Sequence, residues 1–118
     1  MTESTKSKAL KRGVHVSGEK QRKLEVFNNS VKAKWNRVPM SPERFVVELG
    51  KSLPPGVLVC DDSITVRNAL LNAINFDVPG TLVGGRGGSL GFGMGATLGI
   101  KLAAPDKPVV GIIGDGTA

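Results

Sequence analysis

Three short stretches of this chain hold residue types that can do chemistry, and each lies where a strand-length apolar run gives way to polar residues or glycine. The last is Gly114-Asp115-Gly116-Thr117, entered through Val109-Val110-Gly111-Ile112-Ile113. Asp115 is a hard oxygen donor suited to Mg²⁺ or Ca²⁺, and its flanking glycines let the backbone turn sharply and approach a ligand. The first stretch, Asp61-Asp62-Ser63-Ile64-Thr65, follows Val57-Leu58-Val59-Cys60 and precedes a helical pattern in Val66, Ala69, Leu70, Ala73 and Ile74. Such a strand, polar loop and helix start is either an anion site built from amides and hydroxyls or simple N-capping by Asp62 or Ser63. Asp61 and Asp62 are adjacent and point apart on an extended chain, which argues against a catalytic carboxylate pair. The middle stretch runs from Gly84 to Gly95. Within it Gly91-Phe92-Gly93-Met94-Gly95-Ala96 nominally fits G-x-G-x-x-A, but several glycine registers coexist and no acidic residue follows at the ribose-binding distance. Gly50-Lys51-Ser52 is no phosphate loop, because Phe45 stands where the motif requires glycine.

The elements that must position these stretches alternate. The spacing predicts an amphipathic helix over 19–35, with Leu24, Phe27, Val31 and Trp35 on one docking face. Ser41-Pro42-Glu43 starts a second helix carrying Phe45, Val46 and Leu49: the serine caps, the proline loses no hydrogen bond, and the glutamate favours the positive helix end. Strands are expected over 57–60, 81–83 and 109–113, and a further helix over 90–104, stopped by Pro105-Asp106-Lys107-Pro108. On that helix Gly91, Gly95 and Gly99 fall on one face. Since glycine costs about 1 kcal/mol in a helix interior, the sheet, a partner subunit or a cofactor is expected to pack close there. The order predicts an α/β fold, a partial doubly wound parallel sheet with flanking helices, preceded by a basic N-terminal helix, with all three polar loops at one sheet edge.

Charge divides the chain in the same way. Residues 1–37 hold ten Lys/Arg against three Glu, and residues 38–118 hold six against seven acids, so the net +6 belongs to the leader. Residues 1–18 lack periodicity and read as an unstructured linker, giving a basic tail and connector helix over 1–38 and a binding domain over 39–118. Aromatics are only 4%, so neither stacking on nucleic acid nor a role as a nucleic-acid arm is expected. His15 stands alone and reads as neither metal ligand nor catalyst. Cys60 is the single cysteine, which excludes a disulfide within the chain and suits a small core residue. No membrane-length apolar run or signal-peptide core is present, and a cytoplasmic protein is expected.

Three motifs together carry a family resemblance: Gly87-Gly88-Ser89-Leu90-Gly91-Phe92-Gly93, the small-residue helix through Leu102-Ala103-Ala104-Pro105-Asp106, and Val110-Gly111-Ile112-Ile113-Gly114-Asp115-Gly116. From about residue 40 onward the chain resembles the C-terminal, diphosphate-binding domain of thiamine-diphosphate-dependent 2-oxo-acid enzymes, of the acetolactate synthase and benzoylformate decarboxylase kind. The resemblance implies thiamine diphosphate and Mg²⁺ as cofactors. It implies that Asp115 ligates the metal and that Gly114, Gly116 and Thr117 bind the diphosphate by amide or hydroxyl. Ile64 and Thr65 would add diphosphate contacts from the first loop, Leu90 would prop the cofactor into its bent shape, and the Gly88 carbonyl would accept from its aminopyrimidine. It implies no catalytic residue within this chain.

The sequence departs from the family pattern in two places. It holds no helix, strand and Asn pair after Gly114-Asp115-Gly116, and no pyrimidine-binding domain with an activating glutamate. The chain is therefore expected to be a truncated member, inactive alone, whose partners are a small-molecule 2-oxo acid in the complete enzyme and a second copy or full-length homologue. Two alternatives stand beside this: a non-catalytic partner docking on full-length homologues through the glycine-striped helix, and a stand-alone phosphate or dinucleotide binder.

Overall fold

The computed structural model describes residues 3–85 and 89–118. In chain order it contains α1 (Glu3–Lys34), α2 (Pro42–Ser52), β1 (Leu58–Asp62), α3 (Arg67–Ala73), β2 (Leu82–Gly84), α4 (Gly93–Ala103) and β3 (Val109–Ile113), then a 3₁₀ turn at Asp115–Thr117. The strands form one parallel sheet in the order β2-β1-β3, with Val59 level with Leu82 on one side and Val110 on the other.

This topology follows from handedness. Both crossovers of a parallel sheet turn the same way, so reversing direction across the sheet moves the connecting helix to the other face. The step from β1 to β2 runs outward through α3, and the return to β3 runs past β1 through α4. Accordingly Val59 and Ile112 face a core made with Phe27, Val31, Val46, Ala69 and Leu70 from α1, α2 and α3. On the opposite face, Cys60 Sγ meets the Gly93 carbonyl at 3.7 Å, and a Cβ on Gly111 would fall 2.6 Å from Thr97 Oγ1 of α4. The doubly wound α/β expectation therefore holds, and Cys60 is free and buried.

Local signals placed α2 and β3 well. Ser41 accepts a hydrogen bond from Arg44 N at 3.3 Å with Pro42 in the first turn, and β3 covers the five residues expected. Three expectations are corrected. Residues 3–18 are not an unstructured linker but the first half of the 32-residue α1. Their lack of periodicity reports a missing docking face, not a missing helix: Lys, Ala, Leu and Arg favour helix, and no proline interrupts them. Asp62 and Ser63 do not cap the helix that follows them; Val66 occupies that position and makes no side-chain cap. The glycine stripe does not meet the sheet either, which leaves a partner subunit or a cofactor as its expected neighbour. Gly91 precedes α4 at φ +87°, Gly95 and Gly99 face open space, and the tight contact falls on Gly93, where a Cβ would overlap the Asp62 side chain.

Among the described residues, no helix is long and apolar enough to cross a membrane.

Candidate functional site

The carboxyl ends of β1 and β3 lie side by side where the chain's direction across the sheet reverses, which in open α/β sheets is where ligands bind. A cavity of about 660 Å³ opens there. Ile64 and Thr65 line it from the loop after β1, Leu90 from the loop before α4, and Gly114, Asp115, Gly116 and Thr117 from the turn after β3. Seven of the eight residues singled out from sequence thus share one cavity. The eighth, Gly88, lies outside the described residues.

Each loop is shaped by its own hydrogen bonds. Asp61 Oδ1 accepts from Ser63 N at 3.1 Å and Ser63 Oγ at 2.5 Å, folding the loop back on itself, while its Oδ2 lies 3.8 Å from Arg67 Nη1. Asp62 points to the other face, where its Oδ2 accepts from Gly93 N at 2.9 Å. The adjacent aspartates therefore serve opposite faces, as an extended chain requires. Past β3, Gly114 N donates to the Asp62 carbonyl at 3.1 Å and Thr117 N to the Gly114 carbonyl at 3.0 Å. The Thr117 hydroxyl is buried and within donating distance of the Asp62 carbonyl (3.1 Å) and the Gly114 carbonyl (2.8 Å), tying the two strand ends together.

The donors and acceptors differ in what they leave for a ligand. Asp115 is exposed at the cavity mouth, and its Oδ1 accepts from Gly116 N at 2.9 Å. A carboxylate has about four lone-pair sites in all, so a cation can be held alongside that bond. By contrast the Gly114 amide already donates across to β1, and the Gly116 and Thr117 amides donate within the turn. Ile64 and Leu90 stand 74% and 60% exposed, large apolar side chains held out over polar loops. Among the described residues, no three His, Cys, Asp or Glu side chains gather as a metal-binding group, so Asp115 is a single-carboxylate donor. The set fits a metal-bridged phosphate with an apolar body on the carboxylate and apolar sides, and fits an amide cradle only if the turn's own bonds are shared.

Sequence reading missed the cavity's outer wall. Phe45 and Leu49 of α2 line it together with Val110 and Ile112 of β3. Both side chains were assigned to a helix's packing face, and periodicity does not tell whether that face is covered.

The model for the family described as thiamine pyrophosphate enzyme, C-terminal TPP binding domain, matches residues 65–118. Benzoylformate decarboxylase of Pseudomonas aeruginosa is 32% identical over 80 residues, which cover 68% of this chain and 15% of that protein. Sulfoacetaldehyde acetyltransferase of Alcaligenes xylosoxydans xylosoxydans is 30% identical over 90 residues, covering 71% of this chain and 15% of the relative. The match in each case spans about 15% of the relative's length. No solved structure matches the chain significantly. The stretch that builds α3, β2, α4, β3 and the Asp115 turn belongs to the C-terminal TPP-binding domain family of thiamine pyrophosphate enzymes.

Proposed function

We propose that this chain provides the diphosphate-and-Mg²⁺ side of a thiamine diphosphate site and does not turn over substrate by itself. The observation that carries this reading is the exposed Asp115 carboxylate at the mouth of a cavity walled by Ile64 and Leu90. Asp115 would hold Mg²⁺ against the diphosphate, Thr65 would offer its hydroxyl, and Ile64 and Leu90 would exclude water from the cofactor's apolar body. The carbonyl of Gly88 and the backbone of Gly114, Gly116 and Thr117 complete the proposed contacts. When bound, thiamine diphosphate supplies an electron sink for a 2-oxo acid losing CO₂. Mg²⁺ takes about six oxygens, and one protein carboxylate leaves its share incomplete. A helix or turn amide adds only about 0.3–1 kcal/mol per charge. Weak binding and no turnover follow for the chain alone, with a 2-oxo acid as substrate only in a complete enzyme. A cytoplasmic setting is part of this reading.

Isothermal titration with thiamine diphosphate, with and without Mg²⁺, tests the proposal. Millimolar, Mg²⁺-dependent binding is expected. Micromolar affinity, or CO₂ release from any 2-oxo acid, overturns the inactivity; tight NAD or ATP binding indifferent to Mg²⁺ overturns the cofactor assignment.

A second reading, non-catalytic docking on a full-length homologue, is favoured by the uncovered side of α4. Met94, Leu98 and Leu102 are 54%, 67% and 82% exposed beside the open Gly95 and Gly99. Co-purification with a complete homologue, abolished by Leu98→Glu, is its expected mark.

A further inference from the structure

We propose that Arg67 is a positioning residue for the cavity: acting through the buried Asp61, it fixes the loop that presents Ile64 and Thr65. The role adds to the thiamine diphosphate reading and rests on it only where cofactor affinity is measured. The surroundings of Asp61 carry the inference. Asp61 lies on the central strand of the sheet and is 2% exposed. Its Oδ1 holds Ser63 twice, through the amide at 3.1 Å and the hydroxyl at 2.5 Å, while its Oδ2 faces Arg67 Nη1 at 3.8 Å. Among the described residues, Arg67 is the one ion-pair partner of this carboxylate.

Ile64 and Thr65 are exposed, so little packing of their own holds them in place. The span from Asp61 to Arg67 brackets their loop at both ends. Arg67 opens α3, whose Ala69 and Leu70 are buried, so its main chain is anchored in the core. Its guanidinium lies over the end of β2, where a Cβ on Gly84 would fall 3.3 Å from Nη2 and 3.6 Å from Nη1. Gly84 is level with Asp61 in the sheet, so a residue without a side chain gives the planar group its place. A half-exposed ion pair gains little by itself, but removing the cation strands a carboxylate that is buried and needs a partner or water. The stranded carboxylate turns outward, and Ser63 follows, because both of its bonds end on Oδ1. Ser63 and Ile64 stand between the main cavity and a smaller one of about 280 Å³ lined by Arg67, so a shift of this loop moves the wall of both.

Amide hydrogen exchange of the full chain, followed by NMR without cofactor or metal, reads the loop at Ser63 N. In Arg67→Ala this amide is expected to exchange about tenfold faster. The Gly93 and Gly114 amides, which bond to Asp62 on the same strand, are expected to keep their parent rates. Arg67→Lys keeps the charge and is expected to recover most of the protection. Adding Asp61→Asn to Arg67→Ala removes the stranded charge, leaves Oδ1 as an acceptor for Ser63, and is expected to recover it as well. Titration calorimetry with thiamine diphosphate and Mg²⁺ is expected to show about tenfold weaker binding in Arg67→Ala than in the parent. Unchanged Ser63 exchange, an equal rise at Ser63, Gly93 and Gly114, or no recovery in either further variant overturns the positioning role. So does equal cofactor affinity in Arg67→Ala and a parent that binds. A parent that does not bind overturns the cofactor reading instead, and the Ser63 amide alone then decides the role of Arg67.

Discussion

Asp62 and Gly93, 31 residues apart, lock the end of β1 to the start of α4: the aspartate Oδ2 accepts from the glycine amide at 2.9 Å, and the glycine leaves no space for a side chain. A buried carboxylate at a helix N-terminus satisfies an otherwise orphan amide and meets the positive end of the dipole. Because Leu90 lies just before this helix and the Asp62 carbonyl faces the Thr117 hydroxyl, one contact holds two walls of the cavity in place.

The contact sets the first prediction. Gly93→Ala forces a methyl into the Asp62 side chain and is expected to destabilise the fold by about 1–3 kcal/mol. Asp62→Ala removes the cap and is expected to cost about 1–2 kcal/mol. Urea midpoints at neutral pH measure both, and a neutral Gly93→Ala would show that α4 is free to shift.

Glu43 predicts a pH dependence. The hydrogen bond from the Lys34 ammonium, then one from a Glu43 backbone group, then the nearby Lys34 charge and Ser30, hold its carboxyl below the usual 4.5, against the opposing effect of burial. With the folded value lowered, the unfolded chain takes up the proton first as pH falls. The contribution is therefore complete above about pH 4.5 and is lost as pH drops through the folded value. Denaturant midpoints between neutral pH and pH 3 are expected to fall less steeply in Glu43→Gln than in the parent. Equal slopes would show that the Lys34 contact is not maintained in solution.

Asp115→Ala separates binding from folding. The side chain is exposed, so the urea midpoint is expected to stay within about 0.5 kcal/mol of the parent. Mg²⁺-dependent thiamine diphosphate binding is expected to disappear in titration calorimetry. Unchanged affinity would remove Asp115 from the metal site.

The long first helix is expected to divide in its energetics. Residues 4–18 are exposed to solvent, whereas Phe27 and Val31 enter the core. Deleting residues 1–18 is expected to reduce the helical circular dichroism signal with less than about 0.5 kcal/mol change in stability. Phe27→Ala is expected to cost about 3 kcal/mol. A large loss on deletion would mean that the exposed half of α1 contacts something in solution.

The family resemblance singles out the seven residues that line the cavity, and the sequence by itself determined the β and α order, the parallel sheet, the Ser41 cap and the extent of β3. Those follow from local signals: apolar runs, capping chemistry and glycine-flanked polar residues, which act over a few positions. Tertiary structure alone decided where the local options led. Asp62 could cap its own helix or another, and the sheet brought it to Gly93. Glycines 91, 95 and 99 shared a periodicity, yet α4 began later and met the strand at Gly93 instead. Phe45 and Leu49 were apolar in sequence, and only the placement of α2 beside β3 left them lining a cavity. Non-local contacts of this kind depend on which surfaces meet, and no short spacing along the chain encodes that.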